Sequence, residues 1–96
     1  QVEGDIAEAI KVAPKNAYLF YNRGNLYAAA KNYSRAIDDY SRAIEIDPNF
    51  AEAYLNRGLA RCYSGKTTDG LHDFSKAGEL GLYNAYAISK QLSRKK

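Results

Sequence analysis

The sequence has few of the residues that build covalent or metal-held scaffolds. It contains one cysteine, Cys62, so no disulfide can form within the chain. With His72 as the only histidine, no Cys/His spacing of a metal site can be drawn, and no glycine-rich phosphate loop is present. A dyad of Cys62 and His72 would need two separate helices to bring it together. The sequence therefore predicts no cofactor and no catalysis, with Cys62 a small groove or core residue and His72 exposed.

Long apolar runs are also missing. No run reaches the roughly eighteen apolar residues of a membrane helix, so no membrane association is expected. The first residues lack a basic region followed by an apolar one, which excludes a visible signal peptide. Because the chain opens at Gln1, a targeting segment could have been removed. A cytoplasmic location is the default expectation, and the compartment stays open.

An excess of one charge sign is confined to the last residues. The net charge is +3, which the final three residues, Arg94, Lys95 and Lys96, supply by themselves. Elsewhere the signs alternate, as in the segment from Arg35 to Glu45, whereas phosphate recognition needs basic side chains gathered on one face. No nucleic-acid partner is therefore expected, and the basic tail is interpreted as a solvated helix end.

What the sequence does have is a repeat. A shift of 34 positions places Asn22-Arg23-Gly24 on Asn56-Arg57-Gly58. The same register aligns further sets: Ala9 with Ala43 and Ala77, Asp5 with Asp39 and Asp73, Ile6 with Tyr40 and Phe74, and Pro14 with Pro48. Self-similarity at this period predicts a solenoid in which each unit buries its apolar face against its neighbours.

Each unit has the spacing of two helices. Phe20, Gly24 and Tyr27 form one apolar stripe, and a second stripe with helical period follows a break. Pro48 ends the second helix, and Gly65 can adopt the positive φ that often follows a helix. Candidate N-caps are Asn16, Asn49 and Thr67 or Thr68.

Small and charged residues predict how the two helices meet. Gly24 and Gly58 fall in helix interiors, where glycine costs roughly 1 kcal/mol against alanine unless a close contact compensates. Alanines of the second helix would allow that approach, with an aromatic ring at Tyr40 or Phe74 beside them. Arginine and aspartate also recur together, which predicts an ion pair inside each hairpin: Arg23 with Asp39, and Arg57 with Asp73.

The unit from Ala17 to Phe50 resembles the tetratricopeptide repeat. Its signature residues are Phe20, Gly24, Tyr27, Ala36, Tyr40, Ala43 and Pro48. Residues 51–84 form a weaker copy, in which Arg61 replaces the tyrosine, Gly70 the alanine and Leu82 the proline. The loop and last turn of this second copy are therefore expected to depart from the family geometry.

The resemblance implies an all-α fold, a right-handed superhelical stack of antiparallel helix hairpins. The predicted helices cover residues 2–12, 17–30, 33–46, 51–64, 67–80 and 83–94. Residues 1–16 correspond to the second helix of a preceding repeat, 17–50 and 51–84 to two repeats, and 85–96 to a capping helix with a basic tail.

First helices line a concave groove in this family, so the resemblance also implies a binding surface for a protein or peptide. Rings offer contact area at little entropic cost, and asparagine amides both donate to and accept from a peptide backbone. An alternative for Asn22 and Asn56 is a bond to a neighbouring helix. The predicted groove residues are Tyr21, Asn22, Asn25, Asn56, Leu59, Tyr63 and Lys90.

Some family members hold a partner's C-terminal carboxylate with lysines, an arginine and asparagines. Asn25 and Asn56 match the asparagines, and Lys90 stands in place of the arginine. Tyr21 and Tyr86, however, occupy the places of the two lysines. With one cation where three are needed, the sequence predicts against binding of chaperone tails through this clamp.

Two functions are therefore expected from different classes. The first is a protein-interaction module that binds a peptide or protein segment in the groove. The alternative is a structural module that forms homo-oligomers through the apolar face of the first helix, made of Val2, Ile6, Ala9 and Ile10.

Overall fold

The computed structural model describes residues 2–82, and within this range all the regular elements are α-helices. They are α1 (Val2–Val12), α2 (Ala17–Ala29), α3 (Tyr33–Ile46), α4 (Ala51–Tyr63) and α5 (Thr67–Glu79). The predicted α1 and α3 have these bounds, whereas α2, α4 and α5 each end one residue earlier than predicted. The predicted helix over 83–94 lies outside the described residues.

Two hairpins, α2 with α3 and α4 with α5, stack on each other, and α1 packs against α2. The predicted α-solenoid of hairpins is therefore confirmed. Its core combines alanines with rings: Ala36, Ala43 and Ala77 are fully buried, and Tyr40 and Phe74 are 1% and 0% exposed. Small residues let the helices approach, and in each hairpin a ring of the second helix fills the space beside them, while Phe20 of α2 adds a further buried ring to the first hairpin.

The interior glycines have the close contacts that the sequence predicted. A Cβ atom added at Gly24 would lie 2.7 Å from Cε1 of Tyr40, and one at Gly58 would lie 2.7 Å from Cε1 of Phe74. These distances are too short for carbon atoms in contact. Each hairpin therefore packs the ring of its second helix directly onto the glycine of its first.

The predicted ion pairs inside the hairpins are confirmed. In the first, the Nε and Nη2 atoms of Arg23 donate to the Asp39 carboxylate at 2.8 and 2.9 Å. In the second, Arg57 donates to Asp73 in the same two-pronged way, at 2.9 and 2.8 Å. Arg57 also donates from Nη1 to Oγ of Ser41, at 3.1 Å, which links the second hairpin to the first.

The weaker repeat departs from the first where the sequence predicted. After α3, Asp47 has an extended backbone with φ of −131°, as expected before Pro48. After α5, where Leu82 replaces the proline, Gly81 instead adopts a φ of 113°. The chain therefore leaves the second hairpin by a different turn.

Only part of the predicted capping is right. Oδ1 of Asn16 accepts from the Tyr18 backbone N–H at 3.0 Å, as expected of an N-cap. The predictions of Asn49 and of Thr67 or Thr68 are wrong, because α4 and α5 begin after Phe50 and Lys66 without side-chain caps. The Asn49 backbone N–H donates to Asp47 in the loop instead. Asn32, which the sequence reading missed, caps α3.

The loop between α2 and α3 carries a backbone strain that a substitution can relieve. Lys31 has a φ of 63°, and its counterpart one repeat later, Gly65, has a φ of 90°. A side chain disfavours this left-handed region, whereas glycine enters it readily. We expect Lys31→Gly to raise the free energy of unfolding by about 0.5 to 1 kcal/mol, less any entropy gained by the unfolded chain.

Urea unfolding followed by circular dichroism measures this change. Gly65→Ala is the matched control and should lower the free energy of unfolding by about 1 kcal/mol for the same reason. Lys31→Ala removes the lysine charge but keeps a Cβ atom. If Lys31→Ala stabilised the chain as much as Lys31→Gly, the gain would come from the lysine side chain and not from the backbone.

Candidate functional site

The first helices of the two hairpins, α2 and α4, touch directly, and α3 packs against both. Between these three helices lies a hollow of about 220 Å³, which we call the inner hollow. Among residues 2–82, the residues that line it carry no charge: they are Asn25, Ala28, Tyr33, Tyr40, Asn56, Leu59, Ala60 and Tyr63. The hollow therefore offers rings, alkyl groups and amides to whatever occupies it.

A hydrogen-bond network joins α2, α3 and α4 at the floor of the inner hollow. Oδ1 of Asn25 accepts from the Tyr40 hydroxyl at 2.6 Å and from Nδ2 of Asn56 at 2.9 Å. Nδ2 of Asn56 also donates to the Tyr21 hydroxyl, at 3.1 Å. Burial raises the pKa of the Tyr40 phenol well above its ordinary value, and Tyr21 adds to the rise. Tyr40 therefore remains a protonated donor, which orients the Asn25 amide.

The network leaves two amide atoms of opposite character unused. Within residues 2–82, no hydrogen bond involves the Nδ2 donor of Asn25 or the Oδ1 acceptor of Asn56. An amide needs partners for both of its ends when it leaves water. A peptide group, with one C=O and one N–H, supplies both kinds of partner.

Aromatic rings continue the site from the network toward the start of α2. Tyr21 lies 4.8 Å from Phe50 and 6.0 Å from Tyr40, measured between ring centroids. Tyr18 stacks on Phe50 at 6.5 Å and stays 60% exposed. Such ring distances are within the range of favourable aromatic contacts. Tyr18, Tyr21 and Phe50 thus form an aromatic wall, in which Tyr21 is packed against its neighbours and Tyr18 is open to solvent.

A second pair of rings stands at the other end of the inner hollow. Tyr33 at the start of α3 and Tyr63 at the end of α4 are stacked, with centroids 5.5 Å apart and planes inclined by 26°. Tyr63 is 69% exposed. The Tyr63 ring therefore lies beside the hollow with one face against Tyr33 and much of its surface open to solvent.

The structure places five of the seven predicted groove residues in this site. Leu59 and Tyr63 line the inner hollow, and Tyr21, Asn25 and Asn56 form the network. Asn56 donates to Asn25 on the neighbouring helix α2, which is the alternative to ligand contact that the sequence left open for it. It also lines the hollow. Lys90, the sixth, lies outside the described residues. Their roles in binding stay predictions.

Asn22 is the predicted residue that lies apart from the site. It is half-buried on α2, and no hydrogen bond of its side chain is found within residues 2–82. Asn56 reaches back to the preceding first helix, α2. The helix before α2 is α1, which aligns with the second helices of the repeat. Within residues 2–82, no first helix precedes α2 that could supply Asn22 with partners like those of Asn56.

The sequence reading missed Tyr33 and the hydroxyl of Tyr40. Tyr40 was predicted as a ring that fills the core, which it is, but its hydroxyl also organises the amides of the site. A signal was available, because Tyr40 aligns with Phe74 and a buried hydroxyl needs a partner. For Tyr33 the repeat offers no signal, since Thr67 stands at the corresponding position.

Cys62 belongs to the contact between α4 and α5 and is half-buried there. A Cβ atom at Gly70 would lie 2.5 Å from its Sγ atom. Burial raises the pKa of the Cys62 thiol, and the nearby Asp73 carboxylate raises it further. A thiol with a raised pKa is a poor nucleophile at neutral pH. His72 is exposed, as predicted.

Other surfaces of the described chain include a larger and more open hollow of about 880 Å³ between the loop that precedes α2 and the end of α3. It is lined by Ala13, Pro14, Lys15, Asn16, Ala17, Tyr18, Ile46, Asp47 and Phe50. On α1, Ile6, Ala9 and Ile10 are half-buried, and Ile10 packs against the cluster around Phe20. Self-assembly through this face, with Val2, stays a prediction. Across residues 2–82, no helix combines the length and the apolar character that crossing a membrane requires. The same residues hold no group of three or more His, Cys, Asp or Glu side chains placed to share a metal ion.

Comparisons with known proteins agree with this architecture. Models of the tetratricopeptide repeat match residues 17–50 and 40–72. The small glutamine-rich tetratricopeptide repeat-containing protein 2 of Saccharomyces cerevisiae is 34% identical over 84 residues, which cover 88% of this chain and 24% of that protein. The chain thus spans about a quarter of the length of this relative.

A solved structure with a bound peptide is also similar. It is the second TPR domain of the human RPAP3 protein in complex with the HSP70 peptide SGPTIEEVD, with a TM-score of 0.86 and 27% identity. The match covers 95% of this chain and 78% of that one.

One relative is an enzyme. The UDP-N-acetylglucosamine--peptide N-acetylglucosaminyltransferase of Giardia intestinalis is 33% identical over 94 residues, which cover 98% of this chain and 6% of that protein. So small a share carries no transferase activity over to this chain. The repeat models, the helical hairpins and these relatives lead to one conclusion: the chain belongs to the tetratricopeptide repeat family.

Proposed function

We propose that this chain is a protein-interaction module that binds a segment of another protein across the inner hollow. The observation that carries the proposal is a pair of amide atoms, Nδ2 of Asn25 and Oδ1 of Asn56, that have no hydrogen bond within residues 2–82. They lie beside a cavity that the described residues line with rings, alkyl groups and amides. The pair matches the C=O and N–H groups of a peptide backbone. The tyrosine walls on either side supply apolar contact area.

The relatives support the same class of function. The RPAP3 domain is in complex with an HSP70 peptide, and the match covers 95% of this chain. That peptide ends in acidic residues and a carboxylate, whereas Tyr21 stands here in place of a clamp lysine. The proposed partner is therefore a protein segment, and a chaperone tail is not proposed as that segment.

The test needs a variant that removes the Asn25 amide and keeps the fold. The second hairpin shows which residues can replace Asn25 and its partner Tyr40. Leu59 and Phe74 stand where the first hairpin has Asn25 and Tyr40. The double variant Asn25→Leu/Tyr40→Phe removes both partners of the hydrogen bond between these two residues. Asn56 loses its bond to Asn25 but keeps the one to the Tyr21 hydroxyl, so we expect a small loss of stability. Tyr21 is a poorer probe, because it packs against the buried residues around Phe20 and also against those around Tyr40.

A peptide enriched from a phage-displayed random library on the wild-type chain serves as ligand, and isothermal titration calorimetry measures its Kd. We expect the double variant to weaken binding about tenfold, since about 1.4 kcal/mol of lost hydrogen bonding corresponds to that factor. Tyr40→Phe alone keeps the Asn25 amide and should lose less. His72→Ala, on the exposed face of α5, should bind like the wild type.

Binding of a protein segment across the inner hollow can be disproved by either of two results. Selection that enriches no peptide would contradict it. So would an enriched peptide that binds the double variant and the wild type with the same Kd, because binding would then occur elsewhere on the chain.

A further inference from the structure

The larger hollow, of about 880 Å³, lies between two loops, and we call it the loop hollow. One side is formed by the loop from α1 to α2, with residues 13–16. The other is formed by the end of α3 and the loop that follows it, with Ile46, Asp47 and Phe50. The loop hollow shares no lining residue with the inner hollow. It is therefore a separate surface, at the edge of the stack where the hairpins are joined.

Apolar side chains project into solvent at the loop hollow. Tyr18, which lines it, is 60% exposed, and Val12, the last residue of α1, is 81% exposed. Among residues 4–82, Tyr63 is the one other large apolar side chain that is exposed. Pro14 and Ile46 add apolar surface to the lining. Projecting apolar groups beside a hollow are typical of a contact surface for another protein.

Two charges of opposite sign stand on the two loops of this hollow. Lys15 belongs to the loop before α2 and Asp47 follows α3, and both are exposed. Within residues 2–82 neither has an ion-pair partner, and the Asp47 carboxylate accepts one hydrogen bond, from the Asn49 backbone N–H. An acidic or a basic partner would gain at one of these charges and lose at the other. A partner that carries the same two charges in exchanged places gains at both.

A second copy of this chain has that arrangement, because a two-fold axis places residue i opposite residue j and residue j opposite residue i. We propose that the loop hollow is a self-association surface through which two copies form a symmetric dimer. Lys15 of each copy faces Asp47 of the other, and each Tyr18 ring covers apolar surface of the opposite hollow. The dimer goes beyond the proposed function, since none of these residues lines the inner hollow.

Sedimentation equilibrium of the chain at loading concentrations from about 10 μM to 1 mM measures the association. We expect a weak dimer with a Kd of about 0.1 mM, because a contact of this size falls at the low end of protein interfaces. Tyr18→Glu should weaken it at least about tenfold, since a carboxylate would then enter each apolar contact. The fold should tolerate this change, because the second hairpin has Glu52 at the corresponding position.

Lys15→Glu and Asp47→Lys test the two-fold arrangement itself. Either variant alone places like charges opposite each other at both contacts, and its dimer should be weakened about tenfold. An equimolar mixture of the two variants should recover a Kd within about threefold of the wild type. In the mixed dimer, one contact joins the two substituted side chains and the other joins the two original ones, and both pairs have opposite signs. Recovery also shows that both variants are folded.

A chain that stays monomeric up to about 1 mM would overturn the self-association surface. So would single charge variants that dimerise like the wild type, or a mixture that fails to recover the dimer. Loss of the dimer in Ile6→Asp, with Lys15→Glu unaffected, would assign self-association to the apolar face of α1 instead. The variant Asn25→Leu/Tyr40→Phe should dimerise like the wild type, so this inference and the proposed function can fail independently.

Discussion

Replacing Asp73 by alanine should lower the free energy of unfolding by about 3 kcal/mol, because the change leaves two guanidinium groups beside a buried space. The Asp73 side chain is 5% exposed and accepts from Arg57 at 2.8 Å and from Arg61 at 2.8 Å. The arginine side chains are 15% and 23% exposed. They keep some contact with water, which places the expected loss at the lower end of the range for broken buried pairs.

Asp39→Ala is the matched control, since Asp39 occupies the corresponding position in the first hairpin. Its ion pair involves one arginine, Arg23, which is 24% exposed. Tyr27 stands where the second hairpin has Arg61. Asp39→Ala should therefore cost about half as much as Asp73→Ala.

Urea unfolding monitored by circular dichroism measures both losses. Arg61→Tyr refines the comparison, because it gives the second hairpin the residue that the first has at this position, Tyr27. In that background, Asp73→Ala should cost about as much as Asp39→Ala. If the two aspartates proved equally costly in the otherwise wild-type chain, the second arginine would contribute no net stabilisation.

The fold could be predicted because its determinants recur at one spacing. Glycine in α2 and a ring in α3 lie 16 residues apart in the first hairpin, as Gly24 and Tyr40, and again in the second, as Gly58 and Phe74. Arginine and aspartate recur in the same way. Two copies of a complementary pair indicate a contact, since a chance coincidence would have to occur twice.

The candidate site could be predicted only in part, because position on a helix does not determine what a side chain reaches. Asn22 and Asn56 occupy the same place in the repeat, yet within residues 2–82 it is Asn56 that has a first helix before it, with Tyr21 and Asn25 as partners. The bond from Tyr40 to Asn25 depends on how closely α2 and α3 approach each other. Such distances follow from packing over the whole hairpin and not from local spacing.

Replacing Gly70 by alanine should lower the free energy of unfolding by about 2 kcal/mol, although alanine is the better helix former by roughly 1 kcal/mol. A Cβ atom at position 70 would lie 2.5 Å from Sγ of Cys62 and 2.7 Å from the Gly58 carbonyl oxygen. The Cys62 side chain can rotate, but the Gly58 carbonyl oxygen belongs to the backbone, so a Cβ atom here demands that α4 and α5 move apart. The close approach of α4, which brings both the cysteine and this carbonyl oxygen to position 70, therefore explains the glycine that weakens the family resemblance here.

The first hairpin shows the alternative solution for the same contact. Ala28 and Ala36 stand at the positions of Cys62 and Gly70. The first hairpin therefore has two methyl side chains where the second combines a larger side chain with a glycine. If the two residues compensate each other, Cys62→Ala should cost about 1 kcal/mol beside Gly70 but should be neutral or stabilising beside alanine at position 70. Recovery stays incomplete, because the Gly58 carbonyl oxygen remains in place.

A double-mutant cycle over Cys62→Ala and Gly70→Ala, measured by urea unfolding, gives the coupling between the two positions. We expect about 1 to 2 kcal/mol, the range for residues in direct contact. Additive losses would mean that the Gly58 carbonyl oxygen alone excludes a side chain at position 70. A measured coupling would instead identify size compensation across α4 and α5 as the reason that this repeat tolerates Gly70 in place of alanine.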